Sequence, residues 1–297
     1  MAHFYSVLDV FSDRVLAGNP LAVVFSADDI PGERMQAVAR EFNLSETVFL
    51  LRPRDRINTA RLRIFTPVCE LPFAGHPTIG TAVALALQSE ASLINLEEDV
   101  GTVVCTVARD GRHKGYAKFS LPKLPWPLTL AIDRKKLAEA IGLTPADILG
   151  GAARPAAWSA GVPYLVVRVA NRAVLDQARP DAAPGSAPLM HEGLPVDVYV
   201  YCDDPVNRSR SHAARMFAPA SGIAEDPATG SAAAVLPAHL LAAGELADGV
   251  HNLALEQGVK MGRPSLINLR ATVREARLTQ VEIGGWAVLL ASGTINI

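Results

Sequence analysis

The chain has 297 residues, 49% of them hydrophobic and 20% charged, with a formal net charge of −2. That length holds two ordinary domains with sizeable cores, and the composition excludes wholesale disorder. Its basic stretches, such as "LRPRDR" and "NRSRSHAAR", are short and mixed, which argues against a nucleic-acid partner. The opening "MAHFYSVLDVF" lacks the basic and long apolar regions of a secretory signal. From residue 4 it alternates as a strand, turns through "AGNP" and continues as a second strand, "LAVVF". "IPGERMQAVAREFN" has helical spacing, with Met35, Val38, Ala39 and Phe42 on one face, and "TVFLL" and "ARLRIF" read as strands. "TIGTAVALALQ" reads as a helix with Pro77 in its first turn. It is apolar on every side, so it is expected to be buried, and its small side chains require close neighbours.

The strands "GTVVCTVARDG" and "KGYAKFSLP" follow, then the proline-rich "LPKLPWPL", read as an extended linker over 122–128. "DRKKLAEAIG" reads as a small helix, and "GVPYLVVRVA" and "VDVYVYC" as strands. Residues 179–195 read as a long polar loop, expected to shape a pocket rim. "TGSAAAVLPAHLLAAG" reads as a second small-residue helix, kinked at Pro237. No segment reaches the roughly 18 consecutive apolar residues of a membrane span. A soluble cytoplasmic protein is expected.

The halves repeat. "RIFTP" (63–67) matches "RMFAP" (215–219) at an offset of 152, and "HPTIGTA" (76–82) matches "DPATGSA" (226–232) at 150. "GNPLAVV" (18–24) and "GVPYLVV" (161–167) add a weaker match in the same order. Two copies of long period indicate a duplicated domain rather than a solenoid. Each half is expected to thread one buried helix through a strand-rich sheet.

A buried helix leaves four first-turn N–H groups without intrahelical partners. Asp226, before Pro227, is read as an N-cap. His76 in the matching place is a poor cap, so its presence points to chemistry or binding. With the halves facing each other about a pseudo-twofold, both helix starts would favour an anion such as a substrate carboxylate. Thr81 and Ser231 are read as first-turn hydroxyl donors. Glu46, in "NLSETVFL", is the candidate base; as a strand-edge residue it is ordinarily solvated, and burial beside Val48 and Phe49 would raise its pKa towards neutrality.

The segments "GNPLAVV", "NLSET", "FAGHPTIGTA", "EDPATGSAA" and "QGVKMGRPS", in order over nearly the whole chain, resemble the PhzF-like family of phenazine-biosynthesis isomerases. The resemblance implies an α+β, diaminopimelate epimerase-like fold of two pseudo-symmetric domains, each a barrel-like sheet around a central helix. The domains would be 1–121 and 129–286, with the strand at 287–297 returning to the first. It implies a homodimer that needs no cofactor and no metal and acts on a small carboxylate. It places the acid/base on Glu46, with His76 and Asp226 as catalytic partners, and Ser45, Gly75, Gly230 and Ser231 at substrate-binding positions. The namesake reaction isomerises trans-2,3-dihydro-3-hydroxyanthranilate.

Alternatives are a two-base epimerase or racemase on the same fold, and a carboxylate-binding protein without turnover. Epimerases of that kind place one cysteine from each half at the substrate. Here Cys69 lies seven residues before His76 and its counterpart is Ser221. "GHPTIGTA" has a P-loop frame with Thr81 where lysine should stand, and "HE" at 191–192 lacks the HExxH spacing. The three cysteines form no CxxC pair, and Cys105 and Cys202 are read as buried structural thiols. Arg263, in "MGRPS", either steadies an anion near the site or sits on a surface turn, the turn being the expected reading, and Trp126, Trp158 and Trp286 are read as packing residues.

Overall fold

Parallel neighbouring strands need a crossover, and two such crossovers organise each half of the chain. The structure, a computed structural model, describes residues 2–179, 190–191 and 194–297. It divides into two units: residues 1–122, 263–266 and 283–297 form the first, and 123–262 with 267–282 the second.

In the first unit, strand Asn19–Val24 runs through helix Gly32–Phe42 into the parallel strand Glu46–Leu51, with Leu21 opposite Glu46. Strand Glu46–Leu51 pairs antiparallel with Ala60–Phe65, Thr47 opposite Phe65. Strand Ala60–Phe65 then crosses through helix Gly75–Ser89 to the parallel strand Leu93–Glu98, with Ala60 opposite Leu96. The second unit repeats this plan. Strand Pro163–Arg168 is parallel to Asp197–Cys202, with Tyr164 opposite Asp197. Strand His212–Ala218 pairs antiparallel with the latter, Val198 opposite Phe217. It crosses through helix Gly230–Ala242 to the parallel strand Gly249–Gln257, with His212 opposite Leu255. The repeat is therefore one of register: Glu46 corresponds to Asp197, and Glu98 to Gln257.

Both central helices are buried nearly all round, as their composition requires. Gly80 shows how close the packing is: a Cβ there would stand 2.5 Å from Leu21 Cδ2 and 2.6 Å from Val10 Cγ2. Helix Gly32–Phe42 buries Met35, Val38 and Ala39, and Phe42 packs edge-on against Tyr5. It ends at Asn43, which takes the left-handed conformation (φ 50°) suited to a helix C-terminus. Asp133 caps the small helix Arg134–Ala140, its carboxylate accepting from the N–H groups of Lys135 and Lys136. The helix through Pro237 is continuous from Gly230 to Ala242.

Several expectations need correction. Residues 122–128 are not simply a linker: Trp126–Leu128 is a strand of the second unit, antiparallel to Ala156–Ser159. Proline is tolerated in such a short strand where it leaves no ladder hydrogen bond unmade. Trp126 is 40% exposed rather than packed. The return to the first unit begins at Ile283, earlier than 287, and residues 263–266 join that unit too. Most of the loop over 179–195 lies outside the described residues; Met190–His191 and Leu194–Pro195 form a short antiparallel pair. Cys105 and Cys202 are buried, and Cys69 is exposed. Among the described residues no helix is long and apolar enough to cross a membrane.

Candidate active site

Glu46 opens its strand and His76 is the second residue of the central helix of the first unit. Leu21 packs against Gly80 of that helix, so the face of the sheet carrying Leu21 is the face turned to the helix. Asn19, two residues earlier, shares that face, and Glu46 stands opposite Leu21. The register thus delivers Asn19, Glu46 and His76 to one place. Glu46 Oε2 lies 3.2 Å from His76 Nε2, with the side chains 11% and 3% exposed. The approach is off the line of the ring N–H, so it is a close polar contact rather than an aligned hydrogen bond.

Burial lowers the His76 pKa from 6.5 to about 3, so the ring is neutral at physiological pH. Asn19 Nδ2 lies 3.3 Å from His76 Nδ1. An amide nitrogen can only donate, so Nδ1 is the acceptor and the ring proton sits on Nε2, towards Glu46. His76 is therefore a neutral hydrogen-bond donor. Ala74 at the N-cap offers no side chain to the first turn; Pro77 has no N–H and Thr78 N donates to Ala74 O, so the amides of Gly75 and His76 are the ones an anion could use. Ser45 precedes Glu46 in the turn, partly exposed, and Gly75 is the buried first residue of the helix.

The second unit carries a different arrangement. Asp226 ends strand Ile223–Asp226 and is not the N-cap of its helix; that position is Thr229. Gln257, 1% exposed, holds the intervening turn. Its amide nitrogen donates to Asp226 O (2.9 Å) and Thr229 Oγ1 (3.0 Å), and its oxygen accepts from Thr229 N (3.2 Å). Thr229 Oγ1 in turn donates to Asp226 Oδ2 at 2.5 Å. This tie keeps residues 226–229 out of the helix and presents Asp226 as an oriented, buried carboxylate rather than a cap.

The two helices consequently start out of phase with the repeat. Ser231 is in the first turn, with its Oγ 2.7 Å from Tyr164 Oη, and Gly230 opens the helix. Thr81, its counterpart, falls in the second turn of its own helix, fully buried with Oγ1 making no hydrogen bond. Thr81 is therefore not a first-turn donor.

Arg263 is not a surface-turn residue either. Its guanidinium donates to Gly18 O (2.7 Å), Ala17 O (2.9 Å) and the fully buried Asp9 carboxylate. It fixes the loop that leads into Asn19, and so supports His76 at one remove. Asn19, Gln257 and Arg263 are the members that sequence reasoning passed over as site residues. Asn19 and Gln257 stood inside "GNPLAVV" and "QGVKMGRPS", so the signal was present without a role attached.

A family model described as phenazine biosynthesis-like protein (PhzC-PhzF) matches residues 8–293. The chain belongs to this family. Among its relatives is an uncharacterised isomerase of Mesorhizobium japonicum, 45% identical over 99% of this chain and 98% of that protein. The trans-2,3-dihydro-3-hydroxyanthranilate isomerase of Pseudomonas chlororaphis is 38% identical over 99% of each. The crystal structure of a PhzF-family phenazine biosynthesis protein from Bacillus anthracis superposes with a TM-score of 0.85 over the whole of both chains, at 23% identity. The fold of this PhzF-family chain is accordingly α+β, with two units that repeat one strand-rich plan around a central helix. It is an isomerase.

Proposed function

We propose that this chain is a cofactor-independent isomerase that moves a proton between carbons of a small, cyclic, unsaturated carboxylate, in the manner of trans-2,3-dihydro-3-hydroxyanthranilate isomerase. The observation that carries the reading is the Glu46 carboxylate held 3.2 Å from a neutral, buried His76. Glu46 takes a proton from a carbon activated by neighbouring unsaturation and returns it elsewhere on the same ligand. His76, with its proton on Nε2, donates to whichever oxygen carries charge as the proton moves, and cannot itself compete for that proton near pH 7. The uncapped first turn of helix Gly75–Ser89 supplies amides for the ligand's carboxylate, beside Ser45 and Gly75. Asp226, Gly230 and Ser231 are assigned to orienting its remaining polar groups. We further propose a cytoplasmic homodimer.

Proton NMR in D₂O tests this on wild type and Glu46→Gln, with trans-2,3-dihydro-3-hydroxyanthranilate, diaminopimelate, proline and several cyclic unsaturated acids. Isomerisation or deuterium uptake by wild type, lost by a factor of about 10²–10⁴ in the variant, is expected. Near-normal turnover by Glu46→Gln would remove Glu46 from the mechanism. Exchange at the α-carbon of an amino acid instead would make the enzyme an epimerase.

A further inference from the structure

Glu98 is 7% exposed at the end of strand Leu93–Glu98, and no Lys, Arg or His lies within ion-pair range of it among the described residues. Its Oε1 is 2.7 Å from Thr78 Oγ1, and its Oε2 is buried without a hydrogen bond. Thr78 Oγ1 also lies 2.8 Å from Ala74 O. The single Thr78 hydroxyl proton can go to Glu98 Oε1 or to Ala74 O, and both contacts are hydrogen bonds at once only when it goes to Ala74 O, because a backbone carbonyl can only accept. The short contact to Glu98 then needs a proton from Glu98. A carboxylate there would face a lone pair and leave a second charged oxygen unsolvated.

The other unit supplies the comparison. Glu98 lies two residues after Leu96, and Gln257 two residues after Leu255, at the same register of corresponding strands. Gln257 Nε2 donates to Thr229 Oγ1 beside the second helix start. The repeat therefore puts a neutral amide where the first unit has a glutamate; each contacts a threonine near the start of its central helix, although Thr78 and Thr229 are not themselves matched positions.

We propose that Glu98 is a positioning residue that works as a neutral carboxylic acid, giving its proton to Thr78 Oγ1 and so fixing the turn Ala74–Thr78 that holds His76 against Glu46. The inference rests on the proton-transfer reading of Glu46 and His76 for its effect on rate, and on geometry alone for its effect on His76. Burial lifts the Glu98 pKa from 4.5 to about 8 and the neighbouring Asp99 adds to the rise; Thr78 opposes it only when its hydroxyl proton turns from Ala74 O to the Glu98 carboxylate. The Cys105 thiol, the other titratable group near it, is itself raised by burial and stays neutral. Raising pH through about 8 converts the donor to an anion and loosens the turn.

The test compares wild type, Glu98→Gln and Glu98→Ala by kcat against pH and by ¹⁵N-histidine NMR of His76 from about pH 6 to about pH 9.5, a range that brackets the Glu98 pKa. Glu98→Gln, which copies the Gln257 arrangement, is expected to retain most of the wild-type kcat near neutral pH and to lose the fall on the alkaline side near pH 8. Glu98→Ala is expected to lose kcat roughly tenfold or more through misplacement of His76. The His76 resonances should shift with a midpoint of about 8 in wild type and stay fixed in Glu98→Gln. Equal losses in both variants, or an alkaline limb and His76 shift that persist in Glu98→Gln, overturn the proposal. Should no compound exchange in wild type, the reaction reading fails while the His76 titration still decides the role of Glu98. Should Glu98→Ala not fold, the pH profile and His76 titration of Glu98→Gln decide the matter by themselves.

Discussion

The Asn19 side-chain nitrogen lies 3.3 Å from His76 Nδ1, across 57 positions of sequence, and that contact decides which ring nitrogen carries the proton. Removing it should free the ring to change tautomer or rotate. We predict that Asn19→Ala lowers kcat roughly tenfold, with a smaller change in KM, because ligand contacts stay while the donor towards Glu46 is lost. The ¹⁵N shifts of His76 should report protonated Nε2 in wild type and a mixture in the variant. Protonated Nδ1 in wild type would contradict the assignment.

A histidine buried neutral makes stability depend on pH. His76 is lowered by burial to about 3, whereas the unfolded chain takes up that proton near 6.5. Below about 6.5 the unfolded state binds a proton that the folded state does not, so stability is lost as pH falls from about 6.5 towards about 3, by up to about 1.4 kcal/mol per unit. His239, also lowered by burial, to about 4, adds to the same fall. Urea unfolding at pH 7, 6 and 5 should show it, with a shallower dependence in His76→Gln. An unchanged slope in that variant would mean the ring is protonated in the fold.

Gly80 has no room for a methyl group. Its Cβ would meet Leu21 and Val10 at 2.5 and 2.6 Å, both packed in the core around the helix. Gly80→Ala should therefore destabilise by about 1–3 kcal/mol despite the better helix propensity of alanine. Chemical denaturation checks this, and a stabilised variant would show that the helix can move away from the sheet freely.

Arg263 neutralises Asp9, which has no exposed surface, while holding Ala17 O and Gly18 O. Arg263→Ala strands a buried carboxylate and should cost about 3–5 kcal/mol. Asp9→Asn in the same background should recover part of it, by removing the stranded charge. Additive losses in the double variant would mean that the two side chains do not act as a pair.

Composition, hydropathy and the internal repeat were enough to place the two central helices and the duplicated plan, and to single out Glu46, His76 and Asp226 as candidates. Those features are carried by local pattern: small apolar residues on all faces require burial, and a histidine beside the start of an apolar helix stands out against the aspartate at the matching position, although neither is the cap of its helix. The repeat also made positions in the two halves correspond. It could not show that the helices begin out of phase, because that depends on Gln257, 31 residues beyond Asp226, pulling one turn off its helix. Nor could it find Asn19, Arg263 or Glu98, since each acts through partners brought near by strand register. Arg263 reaches Gly18 across 245 positions, and Glu98 reaches Thr78 across 20. A sequence lists which groups are present and which faces are apolar. Which donor meets which acceptor is settled when strands align and a helix closes to within van der Waals contact, for only then are water partners lost and each proton forced to a single choice.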